Sequence, residues 1–135
     1  MSATALAPFP WTDVWGQEAA VETLRAAVAD PAMMSHAWLI TGPPGSGRST
    51  LATAFAASLI AAGPDDVQTM HQVLAGTHPD VTVLRTEKVI ISIAEARALV
   101  ERSCFGPSSG RYRVIVVEDA DRMTERTSNV LLKAL

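Results

Sequence analysis

The chain has 135 residues, 48% of them hydrophobic, and a formal net charge of −3. This length suits one compact domain or part of a larger one, and the apolar fraction is sufficient for a buried core. The acidic balance argues against a free-standing nucleic-acid-binding protein, which usually carries a basic excess, although it leaves room for a local basic patch.

Cysteine usage and hydropathy predict the compartment. The single cysteine, Cys104, makes no intrachain disulfide and is typical of a reducing cytosol, where it is expected to be a small, partly buried side chain. No apolar run approaches the roughly 20 residues of a membrane-spanning helix. The N-terminus also lacks the charged start and long apolar stretch of a signal peptide. We therefore expect a cytoplasmic protein with no membrane partner.

The first half of the chain predicts an arm, a helix, a strand and a second helix. Residues 1–12 carry prolines and small residues and predict an irregular arm, which leaves 13–135 as the domain. Apolar residues recur at helical spacing over 17–29, and the helix ends there because a residue before proline disfavours the α region. The apolar stretch 36–41 predicts a buried strand. Residues 47–62 predict an alanine-rich helix that a Gly-Pro pair terminates.

The second half continues the alternation. Residues 64–79 are ambiguous, although a helix ending at Gly76 fits part of them. The alternating, β-branched stretch 80–86 predicts a strand.

A helix over 92–103 opens with a capping box of Ser92 and Glu95. After a loop at 106–111, the apolar stretch 112–117 predicts a further strand, and Thr124 is expected to cap a last helix. Strands alternating with helices predict an α/β fold with a largely parallel sheet.

A glycine-rich loop lies between the strand at 36–41 and the helix that follows. Gly42, Gly47 and Ser49 stand where a phosphate-binding loop requires them, while Arg48 replaces the usual lysine. Glycines let backbone N–H groups surround phosphate oxygens, the helix N-terminus adds its dipole, and the serine is placed to bind Mg²⁺. A chance turn is the alternative. The predicted nucleotide-binding residues of this loop are Gly42, Pro43, Pro44, Gly45, Ser46, Gly47, Arg48, Ser49 and Thr50.

Arg48 changes the expected chemistry. It keeps the positive charge, but its guanidinium is a planar fork, whereas the lysine ammonium is a compact charge that fits between the β- and γ-phosphates. Backbone donors can still hold ATP or ADP with Mg²⁺, so we expect binding to survive and hydrolysis to be impaired or absent.

The strand at 112–117 ends in a candidate catalytic pair, Glu118 and Asp119. In related sites an aspartate that binds Mg²⁺ precedes a glutamate that orients water, and here the order is reversed. Each carboxylate would then be displaced by about 1–1.5 Å, where about 1 Å can cost about 10²-fold in rate. We predict Ser49 and Glu118 as Mg²⁺ ligands when nucleotide binds. A solvated acidic turn is the alternative reading.

Several blocks together resemble one family. "SHAWLITGPPGSGRS", "LAGTHPDV", "ISIAEARALV" and "GRYRVIVVEDADRMTERTSNVLLKAL" are similar to the clamp-loader branch of the AAA+ ATPases, from about residue 11 to the end. Within it, the chain resembles the delta-prime subunits of bacterial DNA polymerase III, of the actinobacterial type. The resemblance implies a P-loop NTPase fold, a three-layer sandwich with a mostly parallel sheet that is incomplete at the C-terminus. It also implies an adenine site near Val14, Gly16 and Gln17.

The resemblance further implies a mainly structural role in loading the sliding clamp during DNA replication. The implied partners are the delta and gamma/tau subunits of the loader, the sliding clamp and primer–template DNA. An active ATPase, such as gamma/tau or a recombination helper, is the alternative, so enzymatic activity stays open. A small-molecule phosphotransferase is a third reading, for which no lid motif is found.

The sequence departs from that family in three respects, one of which is that the sensor, lid and collar regions of its relatives lie beyond residue 135, so we expect an N-terminal fragment. Many relatives carry a four-cysteine zinc module after the loop helix, but here only His71 and His78 are candidate ligands, so we expect no zinc. The implied strand order is 5-1-4-3-2, and strand 4, between 37–41 and 112–117, lies beyond residue 135. We therefore expect exposed sheet edges.

Scattered arginines are candidate DNA contacts, although a solvated face explains each of them better. They are Arg97, Arg102, Arg111, Arg113, Arg122 and Arg126.

Overall fold

The computed structural model describes residues 8–35, 37–43, 45–85, 92–103 and 112–132. Three helices come first, and two strands then alternate with two further helices, with short 3-10 turns before the first helix, after the first helix and after the second strand. The helices are α1 (Glu18–Ala29), α2 (Arg48–Ile60), α3 (Val67–Leu74), α4 (Ile93–Ser103) and α5 (Glu125–Leu132), and the strands are β1 (Val81–Leu84) and β2 (Val114–Val117).

The caps of the later helices follow the sequence prediction. Ser92 and Glu95 form the expected capping box at the start of α4: the backbone N–H of Glu95 donates to the Ser92 hydroxyl, and that of Ser92 donates to the Glu95 carboxylate. Thr124 caps α5 by accepting a hydrogen bond of 3.2 Å from the backbone N–H of Thr127. These bonds satisfy N–H groups that lack a partner within the helix, and so fix where each helix begins.

β1 and β2 pair in parallel, with Val81 opposite Val114 and Leu84 opposite Val117. Helix α4 lies between them in sequence and contacts β1, as parallel pairing requires a crossover connection. The predicted α/β fold with parallel strands is therefore confirmed, and the carboxyl ends of both strands lie at one edge of the sheet.

The strand predicted at 36–41 is not formed in the described residues 37–41. The sheet consists of β1 and β2 alone, so this segment has no neighbouring strand in the described part of the chain to complete a hydrogen-bonded ladder. Leu39 is 81% exposed as a result. A groove of about 1020 Å³ separates the segment from β2, at the place where the implied strand order has strand 4.

Helix α2 is common to two apolar clusters. The first joins Leu51 and Phe55 of α2 to α1 and to Trp11, which is only 4% exposed. The second joins alanines of α2 to Met70 and Val73 of α3. The structure therefore places Trp11, at the end of the predicted arm, inside the core.

A buried polar group lies at the amino end of the sheet. The Asp80 side chain is fully buried, and its carboxylate lies 3.9 Å from the Arg113 guanidinium. The backbone N–H of Asp80 donates to Nδ1 of His78, and the backbone N–H of Val114 donates to the Asp80 carbonyl. These contacts join the start of β1 to the start of β2.

We expect Asp80→Asn to lower the free energy of unfolding by about 2–4 kcal/mol, because it removes the buried counter-charge of Arg113. Urea unfolding measures the change. Asp65→Asn, at an exposed aspartate nearby in sequence, is the matched control and should change stability by less than about 0.5 kcal/mol. Equal effects of the two substitutions would contradict this account.

Asp66 caps α3 with its carboxylate. That carboxylate accepts hydrogen bonds from the backbone N–H groups of Ala62, at 3.0 Å, and of Thr69, at 3.4 Å. The pKa of Asp66 lies below its usual value of 3.8. The hydrogen bond from Ala62 contributes most to this shift and those from Thr69 contribute less, because all of these bonds favour the charged form.

This lowered pKa predicts a pH-dependent contribution to stability. The folded pKa lies below the unfolded one, so the contribution is present above about pH 4 and is lost as the pH falls through the folded pKa. We expect Asp66→Asn to be less stable than wild type at neutral pH, with the difference shrinking in acid. Urea unfolding at a series of pH values tests this, and a difference that is independent of pH would be inconsistent with it.

Candidate nucleotide-binding site

The glycine-rich loop leads directly into α2. Gly47 has φ +89° and precedes Arg48, the first residue of the helix. A side chain at this φ is strained, so glycine favours the start of the helix at this position. A Cβ at Gly42 would lie 2.7 Å from the Ser46 hydroxyl, so a larger residue there would require the Ser46 side chain to move. Pro44 lies outside the described residues.

Gln17 ties the loop to the start of α1. Its Nε2 donates a hydrogen bond of 3.1 Å to the carbonyl of Ser46, 29 positions away in sequence. Gly16 precedes it with φ +71°, and Val14 packs against the first apolar cluster. Of the predicted adenine-site residues, Gln17 thus lies beside the predicted phosphate loop.

A cavity of about 400 Å³ opens between α1 and the loop. Its lining includes Gln17, Thr41, Ser46, Gly47 and Arg48, with apolar residues of α1 and of segment 38–40. This volume is in the range of small-molecule sites, and the cavity combines an apolar wall with a helix N-terminus.

The acidic pair follows β2, and the structure separates its two members. Asp119, which has φ +53°, places its carboxylate 3.6 Å from Nη2 of Arg48. Glu118 instead accepts a hydrogen bond from Nε of Arg85, the residue that follows β1. Arg48 and Asp119 are about one-third and two-fifths exposed, so solvent limits the stabilisation from their ion pair to about 0–1 kcal/mol.

The predicted site residues therefore meet only in part. The structure brings Gln17, the loop, Arg48 and Asp119 together, while Glu118 faces Arg85. Arg85 was not a predicted site residue. The signal that points to it is positional: parallel strands end at one edge, so the residues that follow β1 and β2 are neighbours.

The residues present fit the phosphates of a nucleotide better than they fit Mg²⁺. Backbone N–H groups of a glycine-rich turn and the start of a helix are suited to an anion. Mg²⁺ needs carboxylate and hydroxyl oxygens, but both carboxylates at the strand ends have a guanidinium beside them.

The histidines named as candidate zinc ligands have other contacts. The ring centroids of His71 and Phe9 are 4.8 Å apart. Nδ1 of His78 accepts a hydrogen bond from the backbone N–H of Asp80. Within the described ranges, no three His, Cys, Asp or Glu side chains are grouped to hold a metal. The absence of zinc stays a prediction.

The candidate DNA-contacting arginines that the structure describes lie in different surroundings. Arg97 and Arg126 are exposed, whereas Arg113 contacts Asp80. Arg111 and the side chains of Arg102 and Arg122, like Cys104, lie outside the described residues.

The decisive comparison is with a protein family. Residues 16–135 match the sequence profile of the family described as DNA polymerase III, delta subunit. The chain belongs to this family. The match confirms the resemblance to the clamp-loader branch of the AAA+ ATPases, whose members are P-loop NTPases. It also identifies the chain as related to the DNA replication machinery.

Individual relatives carry two different names. The chain is 30% identical to DNA polymerase III subunit delta' of Pseudomonas aeruginosa, over 94% of the chain and 38% of that protein. It is 31% identical to subunit gamma/tau of Mycobacterium bovis, over 93% of the chain and 23% of that protein. Subunit delta' of Bacillus subtilis is 28% identical over 76% of the chain and 32% of its own length. No solved structure matches the chain.

The chain thus spans less than two-fifths of the length of these relatives. Among the described helices, none has both the length and the apolar character needed to cross a membrane.

We expect Gln17→Ala to release the loop from α1. Loss of one partly buried hydrogen bond, worth about 1 kcal/mol, should speed amide exchange at residues 45–48 by about fivefold. Hydrogen–deuterium exchange measures this, with Gln68→Ala on the exposed face of α3 as the control. Unchanged exchange in the loop would show that Gln17 does not hold it.

Proposed function

We propose that the chain acts as a delta-prime-like subunit of a DNA polymerase III clamp loader, with a mainly structural role and weak or no ATP hydrolysis of its own. In this role it joins delta and gamma/tau subunits in the cytoplasm and helps them to load the sliding clamp on primer–template DNA. The observation that supports this proposal best is the contact between Arg48 of the loop and Asp119 at the end of β2.

Hydrolysis in P-loop NTPases depends on groups that are altered in this chain. A loop lysine cradles the β- and γ-phosphates, Mg²⁺ is held by the loop Ser or Thr and a strand-end Asp, and a further residue orients the attacking water. Here the loop cation is a guanidinium directed at Asp119, and Glu118 contacts Arg85. Neither carboxylate is placed for its usual task, which supports low turnover.

Binding of ATP or ADP is the part of the activity that these changes leave intact. The backbone turn, the start of α2 and the adjoining cavity remain, and they are the features that bind the phosphates and accept a base. An active ATPase of the gamma/tau type is the second candidate, because gamma/tau relatives are as similar to the chain as delta' relatives are.

The ATPase rate of the assembled loader distinguishes the two candidates. We expect Arg48→Ala to leave that rate within about twofold of wild type, because this subunit contributes little turnover. Arg25→Ala, at an exposed position on α1 that does not line the cavity, is the control. A fall of about 10²-fold or more, typical of losing a group that stabilises the transition state, would favour the gamma/tau-type ATPase instead.

Assembly is tested separately by co-purification. We expect the chain, co-expressed with tagged delta and gamma/tau subunits of the same organism, to be recovered with them in a stable complex. Recovery with none of them would refute the clamp-loader role.

A further inference from the structure

Two guanidinium groups lie against the two carboxylates at the carboxyl edge of the sheet. Arg48 lies beside Asp119, and Arg85 donates to Glu118. Each acidic group in the position where a P-loop site recruits a divalent cation therefore already has a cation beside it. The pairs come from different elements: Arg48 begins α2 and Arg85 follows β1.

A divalent cation at these carboxylates would have to share them with the guanidinium groups beside them. Mg²⁺ binds carboxylate oxygen at about 2.0–2.1 Å and requires nearly octahedral coordination. Bringing it to Asp119 would place two cations, with three positive charges between them, against one carboxylate, or would require Arg48 to move away. Asp119 and Glu118 are therefore less suited to Mg²⁺ than carboxylates without a neighbouring cation.

The guanidinium can itself link Asp119 to an anion. Arginine presents five N–H donors in a rigid fork. The contact with Asp119 uses Nη2, which leaves Nε and Nη1 to donate to phosphate oxygens at the start of α2. A lysine ammonium lacks this fork and binds as a point charge.

We propose that this site binds the phosphates of a nucleoside diphosphate without a divalent cation, with the Arg48 guanidinium bridging the phosphate to Asp119. The inference rests on the nucleotide binding proposed above and adds its cation requirement. The loop backbone supplies the remaining donors, so the site neutralises the phosphate charge with its own residues.

The test is binding of a fluorescent N-methylanthraniloyl derivative of ADP, followed by anisotropy, in buffer with MgCl₂ and in buffer with EDTA. For the wild-type chain we expect dissociation constants in the two buffers to agree within about twofold, whereas a Mg²⁺-dependent site should differ by about tenfold or more. Arg25→Lys is the control for a change of arginine away from the loop. Far-UV circular dichroism checks that every variant is folded.

Two further variants test the bridging role of Arg48. In Arg48→Lys a point charge replaces the fork that links the phosphate to Asp119, so the phosphate charge is less fully neutralised and Mg²⁺ should tighten binding by about fivefold to tenfold. In the double variant Arg48→Lys/Asp119→Asn this effect of Mg²⁺ should disappear. An Arg48→Lys variant that stays insensitive to Mg²⁺ would overturn the bridge.

The outcomes separate this inference from the function on which it rests. Tighter binding to wild type in Mg²⁺ by about tenfold overturns the cation-free site and leaves nucleotide binding standing. No binding in either buffer refutes nucleotide binding and this inference together, while the structural role in the loader is judged by co-purification alone.

Discussion

The parallel pairing of β1 with β2 determines where the candidate site lies. The register that puts Leu84 opposite Val117 also puts the residues after them side by side at one edge of the sheet. The backbone N–H of Glu118 donates to the Leu84 carbonyl, which continues the ladder to the end of both strands. Because both strands leave the sheet at this edge, Arg85 is brought beside Glu118, which is 33 positions away in sequence.

Helix α2 connects this edge to the stability of the molecule. Its first residue, Arg48, reaches Asp119, while its middle and last turns supply side chains to both apolar clusters. Buried alanines at positions 54, 56, 57 and 61 let neighbouring elements approach this helix closely. A change that shifts α2 would therefore move the loop and the core together, so the geometry of the site depends on the packing of the whole helix.

Local signals were sufficient to predict much of this structure. The capping box at Ser92, the glycine-rich loop and the apolar strand before Glu118 each depend on residues a few positions apart, and each was predicted from the sequence. The prediction of a strand at 36–41 was wrong. A strand needs a hydrogen-bonding neighbour, and the apolar character of a segment does not reveal whether such a neighbour is present. The contact of Arg85 with Glu118 spans 33 positions, and only the register of the sheet reveals it.

The exchange of lysine for arginine in the loop illustrates how a fold can keep its binding surface and lose its chemistry. Phosphate binding by backbone N–H groups depends on glycine conformations and on the start of α2, which the structure retains. Metal-assisted transfer depends on side chains that leave the strand-end carboxylates available. A guanidinium at position 48 is long enough, and has donors enough, to engage Asp119. Arginine and lysine carry the same positive charge at position 48. The planar guanidinium favours binding of the phosphate over its hydrolysis, because its shape lets it contact Asp119.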